Sequence, residues 1–306
     1  MPYDVSQLLT YAQGIVGDWA QKNDIAGFLA PEVPVVTEKF FYKNYGSGNA
    51  FLGIDTRRSL GGSAARIGYT VTDSVGVLSE NSLETTIDDI ERRQNPESEA
   101  TLEMVKVRDL TLTILNNYLK SLFVFLKANV TTSTTVPGFT GTGSTLGAAW
   151  GGAGTDDPVL QIDKCVQNIT DTTGVVPNRL FFDLSAWLLF KNNKQVLDRI
   201  RFSRLGVATT EVAAQLFAVP LQIRVGGGVL YTDTGGSTNN VFVFYGQDDP
   251  GIMDPTLMKV FVRTANRFTA MRQYREEKIR SDVFYLDWQQ LFAITGAGIV
   301  YRIQAT

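Results

Sequence analysis

The sequence contains no histidine. This absence removes Ser–His–Asp and Cys–His catalysis, histidine metal sites and histidine pH switches together. The 306 residues include one cysteine, Cys165, so no intrachain disulfide can form, which fits a reducing compartment or a particle made in one. Cys165 sits in the amphipathic stretch "VLQIDKCVQNI" and reads as a small buried apolar residue. No run of about 18 apolar residues occurs, so no membrane span is expected. The opening "MPYDVSQLLTYAQGIVGDW" lacks a basic n-region and a long apolar run and does not read as a signal peptide. Charge excess is missing as well: 28 Lys and Arg against 31 Asp and Glu give a formal net charge of −3. That argues against a dedicated nucleic-acid binder, although a local basic face can act inside an acidic protein.

What is present is material for a core. Hydrophobic residues make up 44% of the chain, enough to exclude global disorder. The length allows one large domain or two to three modules. Val5, Leu8, Leu9, Ala12, Ile15, Val16 and Trp19 predict a short helix. Pro31 and Pro34 then keep the following arm extended. From Val35 to about Asp89 the pattern becomes strand-like, rich in Val, Thr and aromatics. "VVTEKFFY" and "ARIGYTVTDSVGVLSENSLETT" flank the Gly/Ser-rich "GSGNAFLGIDTRRSLGGS", which predicts an outstretched hairpin with a mobile basic tip.

The strongest local signal follows. "NPESEATLEMVKVRDLTLTILNNYLKSLFVFLKANV" begins with Asn95 as a cap and Pro96 at the first helical position, with Glu97 and Glu99 in the first turn. Leu102, Val105, Leu112, Leu115, Leu119, Leu122 and Leu126 recur at helical spacing, broadened by Ile114, Tyr118 and Phe123. The spacing predicts one helix of roughly 30 residues, about 45 Å long, against a mean near 12 residues. A Gly/Thr/Ser-rich connector runs over 131–158. An α/β segment then predicts helices at 159–170, 185–190, 194–201 and 209–217, and strands near 180–182, 221–225, 229–232 and 241–245. Several strands are expected between Met258 and Ile303, and no internal repeat is visible.

The motifs carry little chemistry. "GSGNAFLG" and "GTGSTLG" lack the Gly-Lys-Ser/Thr ending of a Walker loop and the G-x-G-x-x-G spacing of a dinucleotide site, so they read as flexible loops. "VGGGVLY" reads as a tight turn between strands. Asp248, Asp249 and Asp254 do not match a calcium loop, and Pro250 and Pro255 indicate a turn-rich surface. "DDIERR" includes Glu91, Arg92 and Arg93, charges that are solvated or pair with a neighbouring chain. No catalytic, cofactor-binding or metal-ligating residue stands out. Protruding elements without visible chemistry favour an assembling protein over a soluble enzyme.

The order of these elements resembles the major capsid proteins of tailed double-stranded-DNA bacteriophages, the Hong Kong 97-type fold. The resemblance rests on "SENSLETTIDDIERRQNPESEATLEMVKVRDLTLTILNNYLKSLFVFL", on "VPNRLFF", "AWLLFKNNKQVLDRI" and "TTEVAAQLFAVPLQIRVGGGVLY", and on "RQYREEKIRSDVFYLDWQQLFAITGAGIVYRI". It implies an α+β chain with an N-terminal arm over 1–36 and an extended loop over 37–82. A peripheral domain over 83–158 would contain the spine helix at 96–129. An axial domain would occupy 159–262, and return strands of the peripheral domain 263–306. It further implies self-assembly as hexamers and pentamers into an icosahedral shell in the host cytoplasm. Double-stranded DNA would lie against the inner face without sequence specificity, with no cofactor and no membrane partner. Only about 35 residues precede the extended loop, which suggests a separate scaffolding protein alongside a portal and leaves room for a decoration protein. Contacts between subunits would involve Arg57 and Arg58 at the loop tip, Glu91, Arg92 and Arg93 before the spine helix, and Arg199, Arg201 and Arg204 in the axial domain. An encapsulin-type cellular compartment would share the fold and differ in cargo. A soluble carboxylate- or cofactor-dependent enzyme would instead be a small oligomer with a pocket.

Overall fold

The computed structural model describes residues 4–22, 25–45, 57–58, 60, 62–63, 71–94, 99–140, 144–148, 150–151, 156–201, 209–226, 239–263 and 268–306. The chain divides into two compact units. The first comprises Met1–Phe41, Val75–Leu122 and Lys259–Ala293, and the second Tyr42–Ser74, Phe123–Met258 and Ile294–Thr306.

In the first unit, α1 (Val5–Lys22) is followed by α2 (Ile25–Leu29) and β1 (Glu32–Pro34). β4 (Ser79–Asp88) leads into α3 (Asp89–Gln94) and then α4 (Glu99–Asn129), whose residues up to Leu122 belong to this unit. β8 (Met258–Val262), β9 (Phe268–Glu276) and β10 (Ser281–Ile294) complete a five-stranded sheet in the order β1-β8-β10-β4, with β9 also paired to β10. The stretch expected as a free extended arm is thus partly a strand. β1 lies parallel to β8, Glu32 opposite Val260, and Val35 N donates to Val262 O at 2.8 Å. Leu8 and Ala12 of α1 pack with Val107, Leu110 and Ile114 of α4 against Ile87, Met271, Phe284, Leu286 and Trp288 of the sheet.

The long helix forms as its periodicity predicts, and Leu115, Leu119, Leu122 and Leu126 are buried. The expected cap at Asn95 and Pro96 lies outside the described residues. Leu112 departs from the expected stripe and is 36% exposed. The buried face is carried instead by Val107, Leu110, Thr111 and Ile114 in this stretch, one step around the helix from Leu112. The buried Thr111 hydroxyl is satisfied by donating to Val107 O at 2.7 Å.

The second unit is built on a four-stranded sheet in the order β11-β7-β5-β6, from β5 (Arg179–Asp183), β6 (Gln222–Gly226), β7 (Asn240–Phe244) and β11 (Val300–Gln304). β5 and β6 are parallel, while β7 runs antiparallel to both β5 and β11. Both faces of the central strands are covered, so β5 and β7 are continuous apolar runs, not alternating ones. Leu180, Phe182, Val241 and Val243 join the core with α5 (Pro158–Thr173), α6 (Leu184–Asn192) and α7 (Lys194–Ile200). Phe181 packs with Phe242 and with Phe123 of the last turns of α4. A short α8 (Thr210–Ala214) adds Ala213 to the core.

Two expected boundaries change. The return strands expected over 263–306 do not all stay in the first unit, because β11 pairs with β7 through Ile303 opposite Val241. The axial stretch expected over 159–262 ends earlier, since β8 belongs to the sheet of β1 and β10. β2 (Lys39–Tyr45) pairs with β3 (Val71–Val77) as the expected hairpin requires. Most of its distal part and the strand expected over 229–232 lie outside the described residues.

The Gly-rich connector is tied down where it is described. Gln161, buried on α5, accepts from Gly147 N at 2.9 Å and Trp150 Nε1 at 2.8 Å, and donates to Thr145 O at 3.2 Å. Asn193, also buried, donates to Trp150 O at 3.1 Å. Gly147 has φ +74, and a Cβ there would stand 2.0 Å from Gln304 O, so "GTGSTLG" ends in a close backbone approach to β11.

Candidate assembly surfaces

The residues ahead of the long helix form a dense charge network within the first unit. Acids in the first turn of α3 and bases in its last turn both suit the helix dipole. Glu91 pairs with Lys106 of α4 at 2.9 Å. Arg92 pairs with Asp282 of β10 at 2.7 Å and with buried Glu103 of α4 at 3.2 Å, so a carboxylate that burial would penalise is compensated. Arg275 of β9 grips Asp89 through two bonds of 2.7 and 2.6 Å. The Arg275 guanidinium holds the Asp89 carboxyl below the usual carboxylate range. Arg93 is exposed and donates through Nε to Asp89 O at 3.2 Å. Glu91 and Arg92 therefore make ion pairs inside the chain, and Arg93 projects from the same helix.

The other sequence candidates fall in the second unit. Arg57 and Arg58 are exposed, and Arg58 Nε donates to Gly62 O. Arg199 of α7 pairs with Asp157, whose carboxylate also caps α5 by accepting from Val159 N at 3.1 Å. Arg201 is exposed, and Arg204 lies outside the described residues. The structure thus separates these charges into groups, with α3 in one unit and the remaining arginines in the other.

Sequence reasoning missed the apolar side chains that stay in water. In β3, Val75 and Val77 are 49% and 56% exposed, while Gly76 between them backs onto the Phe40 ring. Phe41 of β2 is 62% exposed. On α6, Leu184 and Leu188, four residues apart, are both exposed. Strand alternation and the i, i+4 rule mark which residues share a face, but not which face lacks a partner.

The chemistry available inside is slight. The Cys165 thiol is fully buried and its pKa is pushed well up, which keeps it protonated and unreactive. A cleft of about 220 Å³ beside Phe139, Lys164, Asn168 and Asp171 is small and open. Among the described residues no three His, Cys, Asp or Glu side chains gather as a metal site would require, and no helix is long and apolar enough to cross a membrane. Asp248 pairs with buried Arg179, and Asp254 accepts from Gly251 N at 2.7 Å, so the two carboxylates serve turn structure.

The whole chain superposes on phage proteins. The crystal structure of a phage-related protein from Bordetella bronchiseptica RB50 matches with a TM-score of 0.69 at 18% identity, covering 99% of this chain and 97% of that one. The mature capsid of bacteriophage PhiM1 matches with a TM-score of 0.50 at 11% identity, covering 92% and 86%. This chain has the phage capsid fold. A virus-like particle from Pyrococcus furiosus also shares the fold, with a TM-score of 0.50 at 9% identity over 98% of both chains. No family model and no curated protein matches the sequence.

Proposed function

We propose that this chain is the major capsid protein of a tailed double-stranded-DNA phage, a structural subunit and not an enzyme. The single observation that carries the reading is the match of nearly the whole chain to a phage-related protein and to a mature phage capsid. Copies of the chain build hexamers and pentamers, which close into an icosahedral shell around DNA. Assembly takes place in the host cytoplasm and uses a separate scaffolding protein and a portal, with a decoration protein as an optional addition. Arg57, Arg58, Arg93, Arg199, Arg201 and Arg204 contact neighbouring subunits, and Glu91 and Arg92 brace the α3 region that presents Arg93. The exposed apolar faces of β3 and α6 support this reading, because a monomer gains nothing from leaving them in water. A shell subunit needs several interfaces, together well beyond the ~1,600 Å² of one standard pair.

The test is sedimentation velocity on protein expressed alone and with the genes that flank it, followed by nuclease digestion of whatever sediments. Fast-sedimenting particles that protect DNA are expected when the full gene set is present. Particles that carry enzymes and no DNA would assign the chain to a cellular compartment instead. Only monomers or dimers under every condition would end the shell reading.

A further inference from the structure

Beside α3 the first unit has a cleft of about 500 Å³ lined by three arginines, two aspartates and two isoleucines. Asp89 is taken up by Arg275, and Arg92 by Asp282 and Glu103. Asp88 Oδ1 accepts from Ile90 N at 2.7 Å. Two guanidinium groups and the Asp88 carboxylate stay outside these ion pairs. Arg93 and Arg280 both line the cleft, both are exposed, and neither has an ion-pair partner among the described residues. The cleft also shows apolar surface: Ile90 is 56% exposed and Ile279 44%.

The backbone fixes Arg280 in place. It closes the β9–β10 turn at φ +49, a left-handed conformation that side chains other than glycine seldom adopt, and its carbonyl accepts from Asp89 N at 3.2 Å. The turn therefore presents Arg280 beside α3, next to Ile279 in the chain.

We propose that this cleft receives a carboxylate-bearing, partly apolar segment of a second copy of the chain. The inference rests on the shell reading and adds the surface and the chemistry of its occupant. The two arginines without ion pairs favour a carboxylate, while the isoleucines favour an apolar neighbour to it. Nucleic acid fits less well, because the isoleucines would have no partner along a run of phosphates. The chain itself supplies matching chemistry. Asp249 is exposed and has no ion-pair partner among the described residues, and Met253, four residues on, is 47% exposed.

The test uses the chain's lack of reactive thiols. Cys165 is fully buried, so Ile279→Cys introduces the accessible one. Maleimide labelling of that thiol is expected to slow by about tenfold or more in assembled particles relative to unassembled chains, since reactivity follows exposure. A maleimide–diazirine cross-linker on the same position, in particles mixed from light and heavy-isotope chains, should capture Asp- or Glu-containing peptides of a different copy. Arg93→Glu with Arg280→Glu should abolish particles while leaving thermal unfolding of the unassembled chain nearly unchanged. Equal labelling in both states, cross-links confined to one copy or to nucleic acid, or normal particles from the double reversal would each overturn the proposal and leave the shell reading standing. Failure of the wild-type chain to form particles at all would overturn both.

Discussion

Asp183 should make the second unit less stable at neutral pH than in mild acid. It ends β5 with 3% of its surface exposed. Its Oδ2 accepts from Asn240 N at 3.1 Å and Asn240 Nδ2 at 3.0 Å, while Oδ1 is buried without a hydrogen-bond partner among the described residues. Burial pushes its pKa from 3.8 up to about 6, opposed by the Asn240 bonds and, more weakly, by the charges of Lys127 and Arg302. An acid whose folded pKa is raised binds more protons folded than unfolded between the two values. Its stabilising contribution is therefore complete below about pH 4 and is lost as the pH rises through about 6. At 1.36 kcal/mol per pKa unit, the loss amounts to about 3 kcal/mol. Asp183→Asn keeps an acceptor for both Asn240 bonds and cannot ionise. Native-state amide exchange of β5 and β7, corrected for intrinsic exchange rates, reports the second unit alone. Across about pH 4 to 7.5 the wild type should lose about 2.5 kcal/mol relative to the Asn variant. Parallel pH profiles for the two proteins would refute the reasoning, whatever their constant offset.

Three further outcomes follow from the same structure. Leu115→Pro breaks α4 where its side chain is fully buried and should cost about 3 kcal/mol or more from the backbone before lost packing is counted, leaving insoluble protein; soluble protein with unchanged helical circular dichroism would refute a continuous helix. Gly147→Ala forces a Cβ to φ +74 and to 2.0 Å from Gln304 O, so the approach to β11 must open, with a loss of about 2 kcal/mol or more in urea unfolding; wild-type stability would show that the contact is dispensable. Arg57→Glu with Arg58→Glu should leave melting of the unassembled chain within about 1 kcal/mol of wild type and suppress particle formation, because exposed charges contribute little to a monomer; normal particles would return both residues to the solvated surface.

Much of the fold was legible because it is written locally. The long helix, the core helices and the apolar runs "RLFFD" and "NVFVF" each announce themselves through period or composition. What escaped depends on pairing across long separations. Nothing near Glu32 indicates a parallel partner at Val260, and nothing in "VYRIQ" selects β7 over the sheet of β10. Leu112 misled because its spacing suits the stripe, although the core side is decided by what packs there. Gln161 and Asn193 look like surface residues in sequence, yet each satisfies its amide inside the core. The assembly surfaces were legible only as charge. Arg92 and Arg93 were visible in "DDIERR", but their different situations, one paired with Asp282 and the other projecting, follow from where β10 runs. Ile90, Ile279 and Arg280 carried no sequence signal, since a turn residue at positive φ is recognisable only when it is glycine or asparagine.

The central claim is that many copies of this chain close into a shell. Cryo-electron microscopy of the sedimenting particles tests it most directly. The account predicts closed icosahedral shells with six-fold and five-fold capsomers, into whose density the capsid fold described here fits as the repeating subunit. Particles with no icosahedral order, or small oligomers with the exposed faces of β3 and α6 still in solvent, would contradict it.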